Sequence, residues 1–372
     1  PPFEPQLEET ENGTVIRGRG ASDDKGQLMT FVEACRAWKA IHGTLPCKIT
    51  FFFEGEEESG SPSLVPFMQE NADELTTDIA LICDTGLHES KVPAITTMLR
   101  GMVGEEFTIT TADRDLHSGM YGGVAMNPIR VLSGILAGLH DAEGAVTVPG
   151  FYDGVAEPTP AERADIAAIP YEESIAFAAI GAKPHGEAGY STLERLWMRP
   201  TLDVNGMWGG YTGAGSKTVI PNEAFAKITI RLVPGQDPET AKQAIISHLK
   251  SRVPPYATLE IYGERGQGGA YAVPSDHPLL KAAVSALEHT TGQTPLKVRI
   301  GASLPLTEIV SRVLGLDTVM FSFAVADENF HAPNEFFRLS SIPDGLAAWV
   351  QILRQIARID PDDFAPYRRT MW

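Results

Sequence analysis

The chain has 372 residues, 43% of them hydrophobic, which suffices for a substantial core and for two domains, with three possible. Thirty Lys and Arg stand against 48 Asp and Glu, a formal net charge of −18, which argues against a nucleic-acid backbone or an anionic membrane as the main partner. No run of about 18 apolar residues offers a membrane span. Three cysteines (Cys35, Cys47, Cys83) without a Cys-x-x-Cys pair argue against a disulfide scaffold and fit a reducing, cytoplasmic setting.

The chain opens Pro1-Pro2-Phe3-Glu4-Pro5 rather than with Met, and the expectation is a fragment whose targeting segment, if any, lies upstream. Residues 28–41 place Leu28, Phe31, Val32, Cys35 and Trp38 on one helical face, with Gly43 as a stop. Cys47–Phe53 is a short apolar run, read as a buried strand. Ser61-Pro62 reads as an N-cap with Pro at the first helical position. Ile79–Cys83 reads as another buried strand, ending at Asp84.

The character changes near residue 100. Segments 102–111, 127–140, 200–206, 225–233, 238–253 and 257–262 read strand, helix, strand, strand, helix, strand, the order of a ferredoxin-like unit. In 225–233, Ile228, Ile230 and Leu232 alternate with Lys227, Thr229 and Arg231, so one face of that strand is polar. Residues 141–199, rich in Pro and Glu, read as an excursion within the unit. The first pattern returns from about 270: a helix over 278–290, a strand near 296–300, a helix near 304–314, a strand at 318–323 and a last helix near 341–358. The expected architecture is α/β: one domain built from 1–98 and 268–372, with an α+β domain, 99–267, inserted. Clefts at such junctions are where sites form.

Acidic groups gather where strands end. Glu54-Gly55-Glu56-Glu57-Glu58-Ser59-Gly60 follows one apolar run, Asp84 follows another, and Asp23-Asp24-Lys25-Gly26 sits at a helix start. The carboxyl ends of strands line the ligand crevice of open α/β sheets. Taken singly, each feature has a plain reading: a solvated loop, an N-cap for Asp23, a turn residue for Asp84. A glycosidase pair needs carboxyl groups opposed across a sugar, which neighbours in one turn do not supply. His117, within Arg114–Gly123, and His331, within Asp327–Glu335, sit among polar and Gly residues rather than on apolar helix faces. Imidazole together with carboxylates suits zinc, whereas calcium favours oxygen ligands alone and leaves the histidines unexplained.

Five segments in order carry a resemblance: Gly18-Arg19-Gly20-Ala21-Ser22-Asp23-Asp24-Lys25-Gly26, Glu54–Ser61, the strand ending at Asp84, and the His117 and His331 segments. Together they resemble the co-catalytic zinc amidohydrolases that include carnosinase, carboxypeptidase G, acetylornithine deacetylase and succinyl-diaminopimelate desuccinylase. The Asp115–Gly123 stretch and Ser216-Lys217-Thr218-Val219-Ile220-Pro221 are most similar to the carnosinase-like dipeptidases. The resemblance spans essentially the whole chain. It implies a zinc-peptidase-like catalytic domain with a ferredoxin-like lid that also dimerises, and two zinc ions per subunit, with manganese or cobalt possible.

Residue by residue, the resemblance implies that Asp23 bridges the two ions, that Glu58 and His331 complete one, and that Asp84 binds the other. It implies Glu57 as the general base, a cis Asp23–Asp24 peptide, and Arg231 gripping the substrate carboxylate. Ser303 would line the substrate pocket, while His117 and Thr218 would reach the neighbouring subunit's site of a homodimer. The implied reaction is hydrolysis of the amide of a dipeptide or N-acyl amino acid. An N-acyl amino acid deacylase and a non-catalytic dimeric homologue with an incomplete metal site are the alternatives.

Two departures stand out. The family's first metal motif, His-x-Asp, occurs nowhere in this chain, so its residues are expected before Pro1 or are absent. Ile300 stands where the dipeptidases carry Glu near the substrate's amino end, and this weakens the case for a free α-amino substrate.

Overall fold

The structure, a computed structural model, describes residues 1–87, 92–325 and 327–368, with 263–267 as backbone only. A five-stranded mixed sheet forms the first block. Its central strand, Ala94–Leu99, pairs in parallel with Leu296–Ile300 and antiparallel with Tyr271–Ala272, and touches Thr318–Met320, which runs parallel to Ala80–Ile82. All six residues of the central strand are buried, as a strand flanked on both sides and covered on both faces must be.

Helices Gln27–His42, Pro278–Thr291 and Ser341–Ile356 supply the cover, gathered around Trp349. Trp349 Nε1 donates to Thr30 Oγ1 at 3.0 Å, which satisfies its one polar atom inside the core. A Cβ at Gly345 would lie 3.0 Å from Thr30, so glycine there lets the first and last helices approach closely. The Gln27–His42 helix stops at Gly43, whose φ of 80° is the positive value that glycine accepts without steric cost.

The second block is a four-stranded antiparallel sheet in the order Thr258–Gly268, Gly101–Thr110, Glu223–Leu232, Thr201–Gly209. Helices Pro128–Ala137 and Pro238–Arg252 cover one face, giving the ferredoxin-like order read from the sequence. Along Glu223–Leu232 the inward residues Ala224, Ala226, Ile228, Ile230 and Leu232 are buried, and Lys227, Thr229 and Arg231 point the other way. Asn127 Oδ1 accepts from Ile129 N at 2.9 Å, capping a helix that begins with Pro128.

The 141–199 excursion forms three short helices, Pro160–Ala167, Glu173–Ala179 and Thr192–Met198, the first and last opened by capping boxes. Its apolar residues Ile166, Ile169, Leu193 and Trp197 pack on Ala94, Met98 and Val298 of the five-stranded sheet. Asp165 and Glu162 meet Lys297 and Arg299 of the same sheet at 3.3 and 3.6 Å. The excursion therefore bridges the two blocks: Val146, Val148 and Phe151 at its start pack into the core of the four-stranded sheet, while Ile166, Ile169, Leu193 and Trp197 are buried on the first block.

Two local expectations change. Cys47–Phe53 forms no strand, and Phe51, Phe52 and Phe53 are 40%, 37% and 58% exposed. A run of this kind is buried only when strands flank it, and among the described residues none does; Phe52 stacks on Phe67 instead, centroids 5.6 Å apart. The helix after Ser61-Pro62 begins at Leu64, because Ser61 takes a positive φ of 49° and turns the chain first.

Candidate active site

The loop Gly18–Gly26 is shaped from below by one buried carboxylate. Glu335 is 3% exposed; its Oε1 accepts from the backbone N–H of Ser22 and Asp23, each at 2.9 Å, and its Oε2 from Gly20 N at 2.8 Å. Burial opposes its charge, but those N–H groups and the Arg19 guanidinium at 3.2 Å prevail and hold the carboxyl below the usual range. Beside it, fully buried Glu328 accepts from Ser22 Oγ at 2.6 Å and from Arg338 Nη1 at 3.1 Å. The loop so held breaks helical geometry at Asp23 (φ −115°, ψ 87°), and the Asp23–Asp24 peptide is cis, as the resemblance implies.

Three predicted ligands converge above this platform. His331 Nε2 lies 2.8 Å from Asp23 Oδ2 and 3.2 Å from Glu58 Oε1, and ligand atoms from all three residues fall within 4.8 Å of one another. Glu58 sits in the short turn Glu57–Ser59, and Arg19 bonds its Oε1. Arg19 thereby ties Glu58 to the Glu335 platform. His331 reaches the cluster from a loop in which Asn329, His331 and Asn334 all take positive φ. Asp84 hydrogen-bonds Asp23.

The electrostatics of this cluster are one-sided. Burial, then the charges of Asp23, Glu57 and Glu58, push Asp84 up to about 7. Burial, then Asp84 and Asp23, push Asp24 up to about 9, and its Oδ1 is buried without a hydrogen-bond partner. Glu57 is also raised, first by burial, then by Glu58, Asp23 and Glu54. Carboxylates this crowded favour either protons or a cation. A donor set of carboxylate oxygens and one imidazole nitrogen fits a divalent transition metal.

The other predicted residues form two further pairs. His117 and Val219 face each other in the short ladder Leu116–His117 with Val219–Ile220, and Ser118 N donates to Thr218 O at 3.0 Å. His117 Nδ1 accepts from Gly119 N at 3.0 Å, so in the neutral ring Nε2 carries the proton and can donate outward. Arg231 Nη1 donates to Ser303 Oγ at 3.2 Å, joining a lid strand to the turn that follows Leu296–Ile300. Among the described residues no hydrogen bond or ion pair links either pair to the carboxylate cluster.

Sequence reasoning did not single out Glu335, Glu328 or Arg19. All three lay inside the quoted motifs, but an acid that bonds backbone N–H groups across more than 300 residues leaves no local pattern.

A mixed-sheet block bearing a carboxylate–imidazole cluster, joined to a ferredoxin-like lid, defines a metal-dependent hydrolase. The model of peptidase family M20/M25/M40 matches residues 1–355, and the chain belongs to that family. It is 30% identical over 352 residues to the Cys-Gly metallodipeptidase dug1 of Schizosaccharomyces pombe, covering 92% of this chain and 73% of that protein. It is 27% identical to the human Beta-Ala-His dipeptidase, over 94% of this chain and 70% of the relative. Among solved structures, the M20 family metallo-carboxypeptidase Sso-CP2 from Sulfolobus solfataricus superposes with a TM-score of 0.81 at 29% identity, covering 94% of this chain and 79% of that one. The chain is thus an enzyme of the metallopeptidase class, and no helix among its described residues is long and apolar enough to cross a membrane.

Proposed function

We propose that the protein is a dipeptidase that uses two zinc ions, with manganese or cobalt able to substitute, and that works as a cytoplasmic homodimer. Asp23 would be shared between the two ions, Glu58 and His331 would hold one, and Asp84 would hold the other. The convergence of Asp23, Glu58 and His331 within 4.8 Å is the observation that carries this reading. The names of the fission-yeast and human relatives, both dipeptidases, support the substrate class. Free Cys35, Cys47 and Cys83 fit the reducing compartment.

When bound, the metal pair supplies Lewis acidity that polarises the scissile carbonyl and acidifies the attacking water. Glu57 stands next to the ligand Glu58 but is left out of the three-residue cluster, so it is free to act as a base. Its raised affinity for protons suits it to take one from water and pass it to the leaving amine. Arg231, with Ser303, holds the substrate's terminal carboxylate. His117 Nε2 donates to the developing oxyanion, with Thr218 beside it, in the neighbouring subunit's site.

Metal-binding block 1–98 with 268–372 and lid 99–267 complete the reading, the excursion's helices bracing one on the other. The dimer is supported by the lid's edge strand Thr201–Gly209, where Val204, Met207 and Trp208 are 45%, 42% and 45% exposed. Open edges with apolar faces are closed by symmetric pairing.

Adjacent glutamates provide the test. Glu57→Gln keeps stoichiometric metal in equilibrium dialysis yet loses about a thousandfold in kcat, whereas Glu58→Gln weakens metal binding itself. Equal metal loss in both variants would show that the roles are misassigned.

A further inference from the structure

Two arginines meet where the lid joins the five-stranded sheet. Arg100 lies between strands Ala94–Leu99 and Gly101–Thr110. Arg231, on the outward face of its lid strand, pairs directly with Met102. Arg100 immediately precedes that ladder, two residues from Met102, and the charge of Arg231 acts on it.

Arg100 is only 6% exposed. Its Nε donates to Gly301 O at 2.8 Å, its Nη1 to Arg199 O at 3.4 Å, and its backbone N–H to Ile300 O and Ala302 O at 3.3 and 3.2 Å. The turn Ile300–Ser303 therefore carries partners of both arginines, since Ser303 Oγ accepts from Arg231. All these partners are neutral. Among the described residues neither arginine makes an ion pair. Asp203, opposite Thr229 on the next strand, is the nearby acid; its Oδ2 accepts from Thr201 Oγ1 at 3.3 Å. Burial and the charge of Arg231 outweigh Asp203 and push Arg100 down to about 10.

Buried arginines are almost always paired with acids, and this chain has acids in excess, 48 against 30 basic residues. A cation pair left with neutral acceptors is therefore a site built for an anion. We propose that Arg100 is a positioning residue for anion recognition: buried beside Arg231, it keeps a second positive charge and the Ile300–Ser303 turn in place, so that Arg231 binds a carboxylate more tightly than it would alone. The inference rests on the reading that Arg231 takes the substrate carboxylate.

Steady-state kinetics of the metal-loaded full chain on Ala-Ala and its C-terminal carboxamide test it through the ratio of their KM values. Arg231→Gln abolishes the preference for the carboxylate. Arg100→Met lowers that preference about tenfold, equivalent to about 1.4 kcal/mol. Arg100→Lys, which keeps the charge, restores it to within about threefold. A preference that survives Arg231→Gln overturns the reading of Arg231. One lost in Arg231→Gln but intact in Arg100→Met overturns the inference alone, as does Arg100→Lys behaving like Arg100→Met. If Arg100→Met does not fold, Asp203→Asn, at an exposed position, decides. It removes the opposing charge and raises the preference about twofold, and an unchanged ratio overturns the inference.

Discussion

The metal-binding block and the lid junction each gather like charges, with opposite sign. In the first, Asp23, Asp24, Asp84, Glu57 and Glu58 crowd together, and burial with mutual repulsion raises Asp84 to about 7 and Asp24 to about 9. At the second, Arg100 and Arg231 share one face and Arg100 falls to about 10. Both arrangements cost folding free energy, since each cluster is repelled by its own charge. The comparison teaches where opposite charges belong. On the proposed reading the carboxylate cluster is stabilised by cations and the arginine pair by an anion, placing metal at the scissile bond and a grip on the substrate's carboxylate end.

That symmetry is broken most severely at Asp23. Asp23→Asn should weaken metal binding at least about 100-fold, read by competition with a chromophoric chelator. The same change should raise the melting temperature of the metal-free protein, because a repelling charge is gone. A lower melting temperature without metal would mean that the cluster is not self-repelling. The next effect joins lid to cluster. Mixing His117→Ala with Glu57→Gln should restore about a quarter of wild-type activity, since half the dimers are mixed and each keeps one intact site. No recovery in subunits shown to exchange would place His117 in its own subunit's chemistry. Metal removal by chelation should then lower the melting temperature by several degrees, as expected for a ligand that binds only the folded state. Smallest is the mirror of the first: Arg231→Gln should raise the melting temperature by about one or two degrees in the absence of substrate, and a fall would show that the arginine pair stabilises the fold.

Two apolar runs show how far local pattern reaches. Ile79–Cys83 and Cys47–Phe53 both read as buried strands, yet Ala80–Ile82 within the first pairs with Thr318–Met320 and the second has no strand partner among the described residues. Nothing local distinguishes them, because burial of a continuous apolar run depends on what pairs with it. The lid strand Glu223–Leu232 was easier. Its alternation of Ile228, Ile230 and Leu232 with Lys227, Thr229 and Arg231 names the buried face outright, since a half-covered sheet imposes a period of two. The helix closed by Gly43 was legible for the same reason: its signal lies within one turn of the boundary.

By itself, then, the sequence determined the alternation of elements, the inserted ferredoxin-like unit, the membership implied by five ordered motifs, and the residue types available for chemistry. These follow from local periodicity, caps and composition. Only the tertiary structure decided that helices Pro160–Ala167 and Thr192–Met198 rest on the five-stranded sheet, that Glu335 clasps Ser22 and Asp23 from below, that Arg19 ties Glu58 to that clasp, and that Arg100 stands beside Arg231. Each joins residues far apart in the chain. The free energy that selects such a contact comes from burial and charge in three dimensions, which no window of neighbouring residues contains.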